Sequence, residues 1–187
     1  MESEEKIIKS RERVQETGEV FTRKREVGNM LRLVHAGPSL FATILEPACG
    51  NGNFLVEILK ERLNFLMKDQ NEWHPENREW NILKITSTIY GIDIAPDNIA
   101  ECKYRMKQIV FDTLPDPSSS FLKNFDIILS TNIQVGDMLD GRDHILFTQW
   151  KTPSKNRFRR NIFSLTDMEN GNPKPIETLP IMEIKNV

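Results

Sequence analysis

Apolar residues along the chain fall into two rhythms, one helical and one extended. Val27, Met30, Leu31 and Val34 lie at i, i+3, i+4 and i+7, one face of an amphipathic helix over 25–34, and Gly37-Pro38 is placed to end it. TILE (43–46), apolar and bounded by turn residues, predicts a buried strand, with the helix NFLVEILKERLNFLM (53–67) after it. STIYGIDI (87–94) predicts a second strand. Ile99, Cys102, Met106, Ile109 and Val110 then share the face of a helix starting near Pro96 or Asp97. NEWHPENREWN (71–81), polar and broken by Pro75, reads as an insertion before that strand, and LPDPSSS (114–120) as a loop. FDIIL (125–129) and NIQVGDML (132–139) read as further strand-like segments. Strands separated by helices predict an α/β fold with a mostly parallel sheet, helices on its faces and right-handed crossovers. Beyond Asp140 the pattern fades. Residues 147–165 mix basic and aromatic side chains, and 170–180 are Pro-rich and read as loop or extended tail. The expected division is a charged arm over 1–24, a folded domain over 25–165 and a tail over 166–187.

Composition narrows the partners only slightly. The 187 residues carry a net charge of −2, so no global basic field draws in nucleic acid, and a DNA contact needs a local patch or another chain. Cys49 and Cys102 lack CxxC or Cys/His spacing, which supports neither zinc nor a disulfide framework and points to a reducing, cytoplasmic setting. Residues 1–19 alternate charges without an apolar stretch, and no window reaches the ~18 apolar residues of a membrane span. His35, His74 and His144 are scattered and form no motif.

Ligands of open parallel sheets bind at the carboxyl ends of the strands, and three such ends are chemically loaded. Glu46, Pro47, Ala48, Cys49, Gly50, Asn51, Gly52 and Asn53 follow the first strand, Asp93 closes the second, and Gly136-Asp137 follow the third. Gly50 and Gly52 admit a ligand where a Cβ would clash. An acid closing the second strand can accept from ribose hydroxyls, and one after the third from an adenine amine. A dinucleotide is the rival ligand, but Leu55 stands at the third glycine of G-x-G-x-x-G and Asp93 arrives late. Glu46 would also repel a pyrophosphate. A cationic nucleoside, S-adenosylmethionine, suits the site better.

GEVFTRKREVGNML (18–31), ILEPACGNGNFLVEIL (44–59), IYGIDIAPDNIAECKYRM (89–106) and NIQVGDML (132–139) resemble, in order, the cofactor motifs of N6-adenine DNA methyltransferases of restriction-modification systems. The likeness spans roughly residues 11–165, including ILFTQWK and RFRRNIFSL. It implies a Rossmann-like methyltransferase fold in which Phe21 and Thr22 meet the methionine end of the cofactor. Glu46, Pro47, Ala48, Gly50 and Asn53 match the loop that wraps it. Asp93 matches the ribose-binding acid, Ile94 the apolar residue beside the adenine, and Asp137 with Met138 the pair at the adenine amine. Arg23 stands where the family carries proline. The family presents a flipped adenine to an Asn/Asp-Pro-Pro-aromatic tetrapeptide, but this chain has no Pro-Pro, and Asn132 is followed by Ile133, Gln134 and Val135. The expectation is a donor-binding part of a methyltransferase, without a target recognition domain, inactive alone or completed by a second chain before it acts on DNA. The alternatives are a cofactor-binding interaction subunit and, less favoured, a nicotinamide-dependent oxidoreductase. Lys151, Lys155, Arg157, Arg159 and Arg160, interleaved with Trp150 and Phe158, read either as a phosphate-contact patch or as a solvated face.

Overall fold

The computed structural model describes residues 8–17, 19–34, 40–70, 72–140, 142–171 and 173–183. The architecture is mixed α/β, with one three-stranded parallel sheet and a separate three-stranded antiparallel sheet. A short helix α1 (Arg11–Thr17) and helix α2 (Lys24–Val34) precede strand β1 (Ile44–Glu46). Val27 and Leu31 of α2 are buried as the spacing predicts, whereas Met30, at 49% exposure, lies at the margin of that face. Gly37-Pro38, expected to stop α2, lie outside the described residues.

Helix α3 (Asn53–Leu66) follows β1 and buries Leu55, Leu59, Leu63 and Leu66. The region expected to be an insertion is partly a helix, α4 (Arg78–Thr86), with Trp80, Ile82, Leu83 and Ile85 in the core. Its polar opening, from Arg78 to Glu79, hid the apolar residues that follow. Strand β2 (Ile89–Asp93) is buried from Ile89 through Ile92, the apolar run of a strand covered on both faces. Helix α5 (Pro96–Thr113) starts with Pro96 in its first turn, where the missing N–H costs nothing, and buries Ile99, Cys102, Met106 and Val110.

FDIIL is not a strand. It lies within helix α6 (Ser119–Asn132), where Phe121, Phe125, Ile128 and Leu129 make a helical face. A five-residue segment with four apolar side chains fits either element, and the longer periodicity decides. The start of α6 is fixed by Ser118, whose Oγ accepts from Phe121 N–H at 3.1 Å and donates to Glu79 at 2.7 Å. Only Ile133–Val135 of the next expected strand segment pair, as β3. In the parallel sheet, Glu46 lies opposite Gly91, and Asp93 opposite Val135.

The apparent fading after Asp140 conceals an antiparallel sheet of β4 (Leu146–Ser154), β5 (Arg157–Ser164) and β6 (Glu177–Glu183), with short helix α7 (Leu165–Glu169) between the last two. Phe158 anchors it, its ring 4.7 Å from Trp80 and 5.5 Å from Trp150. Tyr90 OH donates to Thr148 O at 2.6 Å, and Gln134 Nε2 to Leu146 O at 2.9 Å, joining the two sheets.

Candidate functional site

Parallel pairing places the carboxyl ends of β1, β2 and β3 at one edge of the sheet, so Glu46, Asp93 and the Gly136-Asp137 turn belong to the same end of the fold. The loop leaving β1 is held there by its own backbone. Cys49 N–H donates to Ile92 O at 2.9 Å, and Gly50 N–H donates to Asp93 Oδ2 at 2.8 Å. Gly50 and Gly52 adopt left-handed φ of 51° and 84°, as a strand turning sharply into α3 requires. Gly52 also backs onto α5, where a Cβ would lie 2.4 Å from Cys102 Sγ.

Asp93 does more here than its position at a strand end indicates. Its Oδ1 accepts from Ala95 N–H at 2.9 Å and Asn98 Nδ2 at 3.2 Å, in addition to the bond from Gly50. Three of roughly four lone-pair positions are thereby filled, leaving about one for a ligand hydroxyl. Asp93 is thus the clamp that joins the glycine loop to the start of α5. Asp137 accepts from Leu139 N–H at 2.7 Å and Asp140 N–H at 3.1 Å through Oδ1 alone, in a local turn that lowers its pKa and leaves Oδ2 open.

Glu46 is half-buried, and burial raises its pKa against a smaller lowering from Ala48 N–H. It pairs with no cation among the described residues. Pro47 and Ala48 are exposed beside it, Ile94 is 56% exposed past the end of β2, and Met138 packs on the cluster of Tyr90, Ile92, Ile145, Phe147 and Leu165.

Phe21 and Thr22 reach this site from the N-terminal arm. The Phe21 ring lies against Gly50, 3.3 Å from where a Cβ would stand, while Asn53 Nδ2 donates to Thr22 O at 2.8 Å. Arg105 of α5 completes the seam, donating to Asn51 O and Asn53 Oδ1, both at 2.8 Å. The arm carries a polar strap that the sequence patterns did not single out. Lys9 meets Asp97 at 2.9 Å and Glu101 at 3.0 Å, Arg13 meets Asp97 and Glu19 at 2.6 Å each, and Asn98 Nδ2 donates to Glu19 at 2.7 Å. Glu19 and Asp93 therefore share Asn98, which couples the strap to the loop clamp. Among the described residues Glu19 Oε1 and Asn51 Oδ1 are buried with no hydrogen-bond partner, an uncommon condition that calls for a donor.

The bonds from Arg13 and Lys9 hold Asp97 well below the usual carboxylate range, and Glu101 is lowered as well, its burial offset by the bonds from Lys9 and Asn51. For carboxylates lowered in the folded state, the stabilisation exists above the unfolded pKa and disappears as pH falls through the folded one. The strap's stabilisation is expected to begin shrinking below about pH 4, the unfolded value, and to be lost only as pH falls on through the depressed folded values. It is also expected to weaken in molar salt, because Asp97 is largely exposed and screened. Faster trypsin cleavage at Lys9, Arg11 and Arg13 in 1 M salt, with the core still protected, checks this; an unchanged rate refutes it.

The buried position of Asn132 decides a question the sequence raised. Its Nδ2 donates to Ser87 O and Ile89 O at 3.1 Å each, and its Oδ1 accepts from Trp150 Nε1 at 2.8 Å. With its polar atoms committed inside the core, Asn132 has none to present to a base. Among the described residues, no group of three or more His, Cys, Asp or Glu gathers to hold a metal, and no helix is long and apolar enough to cross a membrane. No family model matches the chain, and no curated protein matches it.

Proposed function

We propose that the chain is the S-adenosylmethionine-binding portion of a DNA adenine-N6 methyltransferase with a Rossmann-like fold. The observation that carries this reading is Glu46: a desolvated carboxylate without a cation, at the edge shared with Asp93 and Asp137. Such a group favours a cationic ligand, since a nearby positive charge offsets the cost of ionising it. The unpartnered acceptors on Glu19 and Asn51 suit a ligand rich in N–H and O–H donors.

In this reading Phe21, Thr22, Glu46, Ala48, Gly50 and Asn53 hold the methionine end. Asp93 accepts a ribose hydroxyl at its remaining position, exposed Ile94 covers the adenine, and Asp137 Oδ2 takes the adenine amine beside Met138. The cofactor, when bound, supplies an electrophilic methyl group on sulfonium. These residues orient that group and exclude water from it, which is positioning more than covalent chemistry. Leu55 argues against a dinucleotide, because it fills the third-glycine position and packs on Gly91 of β2. Residues 1–187 contain no Pro-Pro tetrapeptide to present the acceptor base, so methyl transfer by this chain alone is not expected.

Calorimetric titration with S-adenosylmethionine, its demethylated product and NAD tests the proposal. The parent chain is expected to bind the first two and not NAD. Asp93→Ala also removes the loop clamp, so Glu46→Gln is the sharper variant and is expected to weaken S-adenosylmethionine about tenfold, the scale of one charge-assisted contact. Because folding raises the Glu46 pKa, protonation competes with cation binding, and affinity rises as pH climbs through that raised value. Without ligand the same shift makes stability fall as pH rises from the unfolded value upward. Heat with NAD and none with S-adenosylmethionine would overturn the reading.

A further inference from the structure

The β4–β5 ribbon carries a charge arrangement that folding alone does not explain. From His144 to Thr166 the sequence has no acid and five cations, Lys151, Lys155, Arg157, Arg159 and Arg160, in a chain of net charge −2. Register sorts them by face. Trp150 lies opposite Arg160, which stacks 5.9 Å from its ring, and Phe158 shares that inward face. Successive strand residues alternate sides, so Lys151, Arg157 and Arg159 stand on the outer face, and all three are exposed. Lys151 is paired directly with Arg159, a cross-strand like-charge contact that is unfavourable. No carboxylate relieves it: Glu183 answers Arg157 at 2.6 Å, but neither Lys151 nor Arg159 has a salt bridge among the described residues. A tight turn at Lys155-Asn156, with Asn156 at φ 61°, keeps Lys155 exposed at the tip of the same ribbon.

We infer that the outer face of the β4–β5 ribbon, built on Lys151 and Arg159 with Lys155 at its tip, binds the phosphate backbone of duplex DNA. Two facing cations kept without a counter-charge complement an external polyanion that replaces the missing carboxylates, and exposed Gln149, whose Oε1 accepts from buried Asn161, adds a neutral donor through its Nε2. The contact is sequence-independent and electrostatic, so it appears as a dependence on salt. The choice of DNA among polyanions rests on the proposed function; the charge geometry does not.

The test is fluorescence anisotropy of the full chain with a labelled duplex over a range of salt, for the parent and for the Lys151→Ala/Arg159→Ala pair. Loss of two phosphate contacts is expected to weaken binding and make the slope of log K against log salt shallower by about 1.8, about 0.9 per contact. The melting temperature should hold or rise, since a repulsive pair has been removed. Unchanged affinity and slope would overturn the inference. So would equal binding of the parent to phosphatidylserine vesicles, lost in the same variant, because the surface would then be a lipid site. Calorimetry with S-adenosylmethionine on the same preparations separates the claims. Cofactor binding with an unaltered DNA slope refutes this surface alone, and a shallower slope without cofactor binding refutes the methyltransferase reading alone.

Discussion

Gly52→Ala is expected to cost about 2–4 kcal/mol of stability, visible as a fall of roughly 10 °C in melting temperature for a chain of this size. Two independent effects combine. A left-handed φ of 84° costs an L-residue with a Cβ about 1–2 kcal/mol, and the added methyl lands 2.4 Å from Cys102 Sγ and 3.0 Å from its Cβ. Cys102 is completely buried in α5 and cannot swing aside, so the overlap becomes a shift of helix against loop, typically about 1–3 kcal/mol for overpacking. Adding Cys102→Ala should recover part of the steric loss and none of the backbone strain. Gly28→Ala is the control: it sits in α2 with nothing among the described residues within 4 Å of its Cβ position, and is expected to stabilise by roughly 0.5–1 kcal/mol through helix propensity. Urea unfolding of the three variants beside the parent decides the matter, and a Gly52→Ala chain as stable as the parent sinks the argument. The same shift would pull the start of α5, and with it Asn98, away from Asp93.

Gly52 also shows how far the sequence could be read. Its spacing from Gly50 after an acid and a proline announced a strand-to-helix loop, and TILE, STIYGIDI and the helices after them appear as strands and helices in place, although TILE, read as buried, is an edge strand whose Leu45 is exposed. What stayed hidden depends on contacts between distant segments. The five-residue run FDIIL fits a strand or a buried helix equally, and its partner Phe121 and its cap Ser118 lie outside it. The basic ribbon shows alternation only once pairing fixes that Trp150 and Phe158 face inward while Lys151 and Arg159 face outward. Asp93 was legible as an acid at a strand end. Its bonds to Gly50 and Asn98 span 43 and 5 residues, and no spacing rule announces them. The strap of Lys9, Arg13 and Glu19 read only as part of a charged arm because its partners, Asp97 and Glu101, lie more than 80 residues from Lys9 and Arg13.

Asn132→Ala is expected to destabilise the fold by about 3 kcal/mol, more than a typical single hydrogen bond contributes, because it orphans several buried groups at once. Helix α4 ends at Thr86, and its last carbonyls need donors. The Asn132 amide supplies one to Ser87 O and reaches Thr86 O at 3.5 Å, while also bonding Ile89 O at the start of β2. Its carbonyl holds Trp150 Nε1 of β4, so one 1%-exposed side chain ties α4, α6 and the two sheets together. Asn132→Asp separates this account from simple loss of volume. A carboxylate facing those carbonyls is repelled, so folding raises its pKa, and the variant is expected to be near parental stability at pH 4 and to weaken steadily as pH rises toward 8. Trp150→Phe removes only the indole donor and should cost less, and combined with Asn132→Ala it should cost less than the sum of the two, because the broken bond is shared. If Asn132→Asp shows no fall in stability between pH 4 and pH 8, the side chain does not sit in that cage of carbonyls, and the reason for excluding it as a base-presenting residue falls with it.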